Sequence, residues 1–107
     1  MNYNVIALRR ADDDVRHITR WIARHSQQGA HSWLDAYRQL LSRLAKQANS
    51  YTAALEDPDC NIPLKQAMFR TRMGDTYRAV FTIVGTEVRI LRVRGPGQPP
   101  LHEDELL

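Results

Sequence analysis

The chain has few of the residues that build disulfide, metal or membrane frameworks. Its one cysteine, Cys60, cannot form an internal disulfide, and there is no second thiol to share a zinc ion. No run reaches the roughly 18 apolar residues of a membrane span. No cationic leader with a long apolar run opens the sequence. We therefore expect a cytoplasmic protein without a membrane partner.

Site motifs are also scarce. The four histidines are scattered and lack carboxylates at metal-ligand spacing, namely His17, His25, His31 and His102. A glycine-rich phosphate loop and a Ser/His/Asp signature are both missing. We predict no metal and no cofactor. Any catalysis would be metal-free work by arginines, Tyr77 and His102, acting on an RNA 2′-hydroxyl and its phosphate.

The length and the composition are those of one globular domain over residues 1–107, with 43% hydrophobic and 25% charged residues. The net charge of +3 is unevenly distributed. Residues 1–50 carry +4 and residues 64–94 carry +5, whereas residues 51–63 and 95–107 each carry −3. This pattern indicates either an acidic or polyanionic partner for the basic region, or only a solvated basic surface.

Hydrophobic periodicity predicts a helical hairpin in the first half of the chain. A short strand over Tyr3–Leu8 precedes a helix over Asp13–His25, whose aspartates would cap its N-terminus. Gln27-Gln28-Gly29 would end that helix, and a second helix is predicted over Ala30–Ala48. Trp21, Trp33 and Tyr37 lie at helical spacing, so we interpret them as core rather than as a platform for stacking bases.

The second half changes to a period of two. After a polar, acidic loop over residues 50–63, alternation predicts strands over 67–73, 77–83 and 88–94. The predicted fold class is α+β, with an N-terminal strand and the antiparallel helical hairpin packed on one face of a mainly antiparallel sheet.

Strand register decides where the arginines lie. Three-residue loops would place Phe69 opposite Phe81, Phe81 opposite Leu91, and Arg78 opposite both Arg72 and Arg94. One face would then meet the helices, and the other would carry Arg70, Arg72, Arg78, Arg92 and Arg94. A two-residue Gly85-Thr86 turn would instead put Arg92 and Arg94 beside Phe81, where unpaired burial is costly. We favour the first register.

A crowded arginine face needs an acidic counterpart, because guanidinium groups repel each other and bind phosphate or carboxylate through two parallel hydrogen bonds. The face could bind nucleic acid, the acidic side chains of a protein, or the chain's own Glu103, Asp104 and Glu105. Residues 95–107 are predicted to form an extended or flexible tail. Its acidic end, His102–Leu107, would either fold back over the arginines or be disordered, and we favour disorder.

This layout resembles the RelE/ParE superfamily, the toxins of bacterial type II toxin–antitoxin modules. The resemblance rests on Phe69-Arg70-Thr71-Arg72, on Tyr77-Arg78-Ala79-Val80-Phe81 and on the run from Val88 to Arg94. It implies a cognate antitoxin that wraps and neutralises the toxin in a hetero-oligomer. It also implies one of two activities: metal-independent cleavage of mRNA in the ribosomal A site, or binding and blocking of DNA gyrase.

The resemblance discriminates in part between these activities. Arg70, Arg72 and Arg78 match basic positions of the RelE-like nucleases, which also use a tyrosine, or a His-Tyr pair, near the C-terminus. The tail has no tyrosine, and His102 is the one candidate substitute. We therefore predict a ParE-like gyrase inhibitor that binds partners through the arginine face. The alternatives are a RelE-type, ribosome-dependent endoribonuclease using Arg70, Arg72 and Arg78, and a non-toxic binding protein on the same fold.

Overall fold

The structure is a computed structural model that describes residues 2–106, apart from the side chain of Asp59. Met1 and Leu107, the ends of the predicted domain and tail, lie outside the described residues. The main elements are β1 (Asn4–Ala7), α1 (Arg9–Ala23), α2 (Gln27–Gln47), β2 (Lys65–Phe69), β3 (Tyr77–Val84) and β4 (Glu87–Arg94). Short 3₁₀ helices occur at Ala48–Ser50, Asp57–Asp59 and Glu103–Glu105.

The sheet has four strands in the order β1-β4-β3-β2, with β1 parallel to β4 and the other pairs antiparallel. Both helices pack on it, which confirms the predicted α+β class. Parallel strands need a long connection between them. Here the two helices, β2 and β3 all lie between β1 and β4 in the chain.

Both helices begin earlier than predicted. The backbone of Leu8 caps α1 without a side-chain hydrogen bond, and the N–H of Asp12 donates to the Leu8 carbonyl at 3.0 Å. The aspartates therefore lie inside the helix, and the predicted aspartate N-cap is wrong. Helix α2 begins at Gln27 because the hydroxyl of Ser26 accepts a hydrogen bond from the N–H of Gly29 at 2.9 Å.

The main core lies between the helices and the sheet. Trp33 and Tyr37 of α2 are buried, and their rings stack with centroids 5.7 Å apart. The ring centroids of Trp33 and Phe69 are 5.4 Å apart. Phe81 and Ile90 are fully buried in the same cluster. The core interpretation is confirmed for Trp33 and Tyr37. It is wrong for Trp21, whose residue is 59% exposed on α1.

The β3–β4 hairpin has a two-residue turn and a bulge. Val84 pairs with Glu87 across Gly85-Thr86, and Gly85 adopts φ +62°, a conformation that glycine adopts without strain. The predicted pairing of Phe81 with Leu91 is wrong, because Phe81 pairs with Ile90. Val80 then pairs with Arg92, which leaves Leu91 as an extra residue.

The bulge compensates for the shorter turn. Beyond it, Arg78 lies opposite Arg94 as predicted, on the face away from the helices. The β2–β3 connection is longer than predicted, since β2 ends at Phe69, which pairs with Tyr77 rather than Phe81. The predicted pairing of Arg72 with Arg78 is therefore wrong, because Met68 is the partner of Arg78.

A second, smaller core covers the other face of the sheet. It contains Val80 and Leu91 from the strands, Ala54 and Leu64 from the loop before β2, and two residues from the C-terminal segment, Leu101 and Leu106. We call residues 95–106 the strap. Of the two arrangements considered for the tail, the structure has the one that folds back over the sheet.

Candidate functional site

Arg78 is the centre of a buried ion pair beneath the strap. Its two terminal nitrogens donate to the two carboxylate oxygens of Glu56, at 2.8 and 2.5 Å. The exposed fraction of the side chain is 10% for Arg78 and 1% for Glu56. Gln66 Oε1 accepts a further hydrogen bond from Arg78 at 3.3 Å. A two-pronged pair of this kind fixes both side chains, because the planar guanidinium matches the carboxylate.

Glu56 also holds the strap. Its Oε2 accepts a hydrogen bond from the backbone N–H of Leu101 at 2.8 Å. Burial alone would raise the pKa of Glu56, but the bonds from Arg78 and from Leu101 outweigh it and hold the pKa below its ordinary value. One carboxylate thus joins the 51–63 loop, strand β3 and the strap.

Arg92 is tied to α1 rather than exposed to a partner. Its Nε and Nη2 donate to the two carboxylate oxygens of Asp14, at 2.7 and 2.9 Å. Asp14 Oδ2 also accepts from the backbone N–H of Val93 at 2.9 Å. The bond to Asp14 raises the pKa of Arg92 further. Strand β1 pairs with β4 only as far as Ile90. At Val93, the carboxylate of Asp14 therefore accepts the backbone hydrogen bond that a neighbouring strand would otherwise accept.

Arg94 is buried with an incomplete set of partners. Its residue is 8% exposed, and one terminal nitrogen donates to the carbonyl oxygen of Pro99 at 2.9 Å. Among the side chains that the structure describes, its Nε has no hydrogen-bond partner and no carboxylate lies within 4 Å of the guanidinium. A neutral carbonyl therefore faces this charge where a carboxylate would bind it more strongly.

Arg70 and Arg72 lie elsewhere. Both are exposed, in the loop that follows β2, and in the described part of the chain neither forms an ion pair. They line an open groove of about 590 Å³ together with Ser32 and Asp35 of α2. Next to them, Met73 is 93% exposed. This loop is therefore a basic surface that a partner can reach directly.

The predicted single face of five exposed arginines is therefore wrong. Arg78, Arg92 and Arg94 share the face away from the helices, but same-chain partners and the strap cover them. Arg70 and Arg72 lie apart from these three, beside α2. A role in partner binding stays a prediction for all five residues.

The acid–base residues considered for RNA cleavage are also separated. His102 is exposed on the strap, where its backbone N–H donates to Glu105 Oε1 at 2.9 Å. Tyr77 packs against Trp33 in the main core, at a centroid distance of 5.4 Å. Burial and the nearby Asp75 raise the pKa of the Tyr77 phenol, so even less of it is ionised at neutral pH and available to act as a base.

Glu56 and Asp14 were not identified from the sequence. A signal for Glu56 was present, because the 51–63 segment carries −3 and directly precedes strands that carry +5. If the acidic 51–63 segment had been considered as a partner of the basic strands, an ion pair within the chain would have been predicted. Asp14 had no comparable signal, because it is one of three consecutive aspartates and only the tertiary fold distinguishes them.

Two general features bear on the class of protein. No helix in the part of the chain that the structure describes could cross a membrane. Within those same residues, no three His, Cys, Asp or Glu side chains are grouped to hold a metal ion.

The comparisons with known proteins give one family. No curated protein matches the chain. The family model described as "ParE toxin of type II toxin-antitoxin system, parDE" matches residues 5–98, which run from β1 into the strap. The match spans both helices and all of β2, β3 and β4. The chain belongs to the ParE toxin family of type II toxin–antitoxin systems.

Proposed function

We propose that the protein acts in the cytoplasm by binding and inhibiting DNA gyrase, without chemistry of its own. Family membership makes it the toxin of a type II system and implies an antitoxin partner, with which we expect a hetero-oligomer. The target itself is our proposal.

The observation that supports the proposal most directly is that Arg78 is bound to Glu56 of the same chain. A RelE-type nuclease would need this guanidinium at the scissile phosphate, together with Arg70, Arg72 and an acid or base. Arg78 is instead occupied by Glu56, while Arg70 and Arg72 lie in a loop beside α2. This arrangement favours binding over catalysis.

The contact that we propose for gyrase is the loop over residues 70–76. Arg70 and Arg72 are exposed, carry no ion pair among the described residues, and lie next to the exposed Met73. An acidic surface of the target could therefore pair with both arginines without disrupting an internal bond. A charge-assisted hydrogen bond contributes about 1.5–3 kcal/mol when it is well formed.

The test is a gyrase supercoiling assay with purified protein. We expect the wild type to inhibit supercoiling, and Arg70→Ala/Arg72→Ala to need at least about tenfold more protein, since about 1.4 kcal/mol corresponds to tenfold in affinity. The matched control is Arg16→Ala/Arg20→Ala, which removes the same charge from exposed positions of α1 and should inhibit like the wild type.

A parallel assay separates the alternatives. Cell-free translation with the same protein should proceed with intact mRNA. If mRNA is cut at codons while supercoiling continues, the protein is a ribosome-dependent nuclease and the gyrase proposal fails. If neither process is affected by folded protein, the chain is a non-toxic binding protein.

A further inference from the structure

We propose that the groove on either side of Trp21 binds an arginine side chain of a partner protein. Two hollows of about 450 and 250 Å³ open beside α1, and Trp21, Asp75 and Tyr77 line both of them. We call the two hollows together the aromatic groove. The proposal does not depend on gyrase being the target, because it concerns the kind of side chain that the groove accepts.

The walls of the aromatic groove are built from rings that pack against each other. The rings of Trp33 and Tyr77 meet edge to face, with centroids 5.4 Å apart. The ring of Trp21 is tilted against that of His25 at 5.3 Å, yet Trp21 is 59% exposed. An indole on a protein surface buries its large apolar face only when a partner covers it, and tryptophan is among the residues that contribute most to protein interfaces.

Two glycines allow the backbone to approach the rim of the aromatic groove closely. A Cβ at Gly95 would lie 3.1 Å from the ring of Tyr77, so a larger residue would push against that ring. A Cβ at Gly74 would overlap the hydroxyl oxygen of Thr71, whose carbonyl accepts a hydrogen bond from the N–H of Gly74 at 3.2 Å. The chain therefore turns tightly just before Asp75, which fixes the backbone of Asp75 beside the aromatic walls.

Asp75 gives the aromatic groove a negative charge in a protein whose net charge is +3. Asp75 is exposed, and among the described side chains it forms no ion pair. Among those same residues, no lysine or arginine lines either hollow. Burial, and next the charge of Asp75, raise the pKa of the Tyr77 phenol, which agrees with a carboxylate close to that ring. The aromatic groove thus combines an unmatched carboxylate with aromatic faces, and this combination favours a cation.

An arginine on a protein surface matches this combination better than other cations. A flat guanidinium can stack on an indole or phenol ring and also donate two parallel hydrogen bonds to a carboxylate, whereas a lysine ammonium is a strongly hydrated point charge. A small free molecule would stay largely in water here, because Trp21 is exposed and small-molecule sites enclose most of their ligand. Met73, which is 93% exposed and lines the smaller hollow, extends the surface that a protein can cover.

The experiment is an NMR titration that follows the indole N–H signals of the two tryptophans in the isotope-labelled full chain. The probe is a short peptide with one arginine between glycines, and we expect it to shift the Trp21 signal in a saturable manner. The matched probe carries citrulline in place of arginine, which keeps the shape of the side chain and removes its charge. The citrulline peptide should bind about tenfold more weakly, because the cation–π contact and the charge-assisted hydrogen bonds are lost.

Protein variants test the two halves of the aromatic groove. Asp75→Asn should weaken binding of the arginine peptide about tenfold and remove most of its advantage over the citrulline peptide. Trp21→Ala, followed through the Trp33 signal, should also weaken binding, and Trp21→Phe should lie between it and the wild type. The matched control is Asp35→Asn, which removes the same charge from an exposed position of α2 outside the aromatic groove and should bind like the wild type. Asp75 and Trp21 are exposed, so these variants should fold, and thermal melts check that they do.

Four results of the titration would overturn the proposal. The Trp21 signal could stay unchanged with millimolar arginine peptide, the arginine and citrulline peptides could bind equally, or Asp75→Asn could bind like the wild type. Tighter binding of tetramethylammonium than of the arginine peptide would assign the aromatic groove to a small organic cation instead. The titration contains no gyrase and the supercoiling assay contains no peptide, so each of the two proposals can fail while the other holds.

Discussion

Glu56 and Arg78 form a two-pronged ion pair that is closed off from water, with nitrogen–oxygen distances of 2.8 and 2.5 Å. The two residues come from an irregular loop and from a sheet strand, 22 positions apart. Because the same carboxylate binds the N–H of Leu101, the pair also anchors the strap. Disrupting the pair should therefore destabilise both the packing of the loop on β3 and the attachment of the strap.

We expect Glu56→Gln to destabilise the fold by about 3–5 kcal/mol, because the substitution leaves the buried charge of Arg78 without its counter-ion. Denaturant unfolding monitored by circular dichroism measures the change. Replacing both members, as in Glu56→Gln/Arg78→Met, should recover part of the loss. If the single variant is as stable as the wild type, the pair is not formed in solution.

The same pair should produce an acid-sensitive stability. The folded-state pKa of Glu56 lies below the ordinary value of 4.5, so the unfolded chain takes up the proton first as the pH falls. The contribution is therefore complete above about pH 4.5 and is lost as the pH falls through the folded-state pKa. Thermal melts from pH 7 to pH 2 should show a melting temperature that falls less steeply in acid for Glu56→Gln than for the wild type.

Neighbouring aspartates of α1 should differ sharply in importance. Asp14→Ala should cost about 2–3 kcal/mol, because it removes bonds to Arg92 and Val93 in a largely buried setting. Asp13→Ala should change stability by less than about 1 kcal/mol, because its partner Arg16 is 66% exposed. Urea titrations of the two variants make the comparison, and equal losses would contradict the assigned contacts.

The β3–β4 turn should tolerate only residues that accept a left-handed backbone. Gly85→Val should destabilise the fold by about 1–2 kcal/mol, because φ at this position is +62° and β-branched residues are strained there. No atom lies within 4 Å of an added Cβ, so the cost comes from the backbone alone. Gly85→Asn should cost clearly less, as measured by the urea midpoint. A valine variant as stable as the wild type would argue against the two-residue turn.

The phenol of Tyr37 should lose its proton only at a pH well above that of an exposed tyrosine. Burial, with Asp12 and Asp14 nearby, raises its pKa to about 12. The unfolded chain loses the proton near pH 10, so the folded state loses stability between about pH 10 and pH 12. In the described structure its hydroxyl has no hydrogen-bond partner, so Tyr37→Phe should leave stability at pH 7 unchanged or slightly higher. Ultraviolet titration against that variant isolates the Tyr37 signal.

The sequence predicted those elements that local pattern determines. Helix α2 has an apolar stripe that includes Trp33, Tyr37, Leu40 and Leu44, and all four are buried as expected. The start of α1 was mispredicted because the backbone of Leu8 caps it, and no side chain marks such a cap. Trp21 lies three residues after Ile18 and one before Ile22, which are both partly buried against the core, so periodicity alone did not distinguish it from the apolar stripe of α1.

The candidate site was harder to predict because it depends on pairing between distant residues. One extra residue at Leu91 offsets the short turn at Gly85, and alternation of side chains cannot reveal an offset of that kind. The partners of Arg78 and Arg92 come from the 51–63 loop and from α1. The charge pattern identified the basic strands correctly but did not show that carboxylates of the same chain neutralise Arg78 and Arg92.

The parallel pairing of β1 with β4 has a consequence for synthesis. Asn4 through Ala7 find their partners at Glu87 through Ile90, near the opposite end of the sequence. Contacts between such distant segments form late, because a long loop must close first. A ribosome must therefore translate most of the message before the first strand can join the sheet, and a toxin still being made cannot yet adopt its active shape.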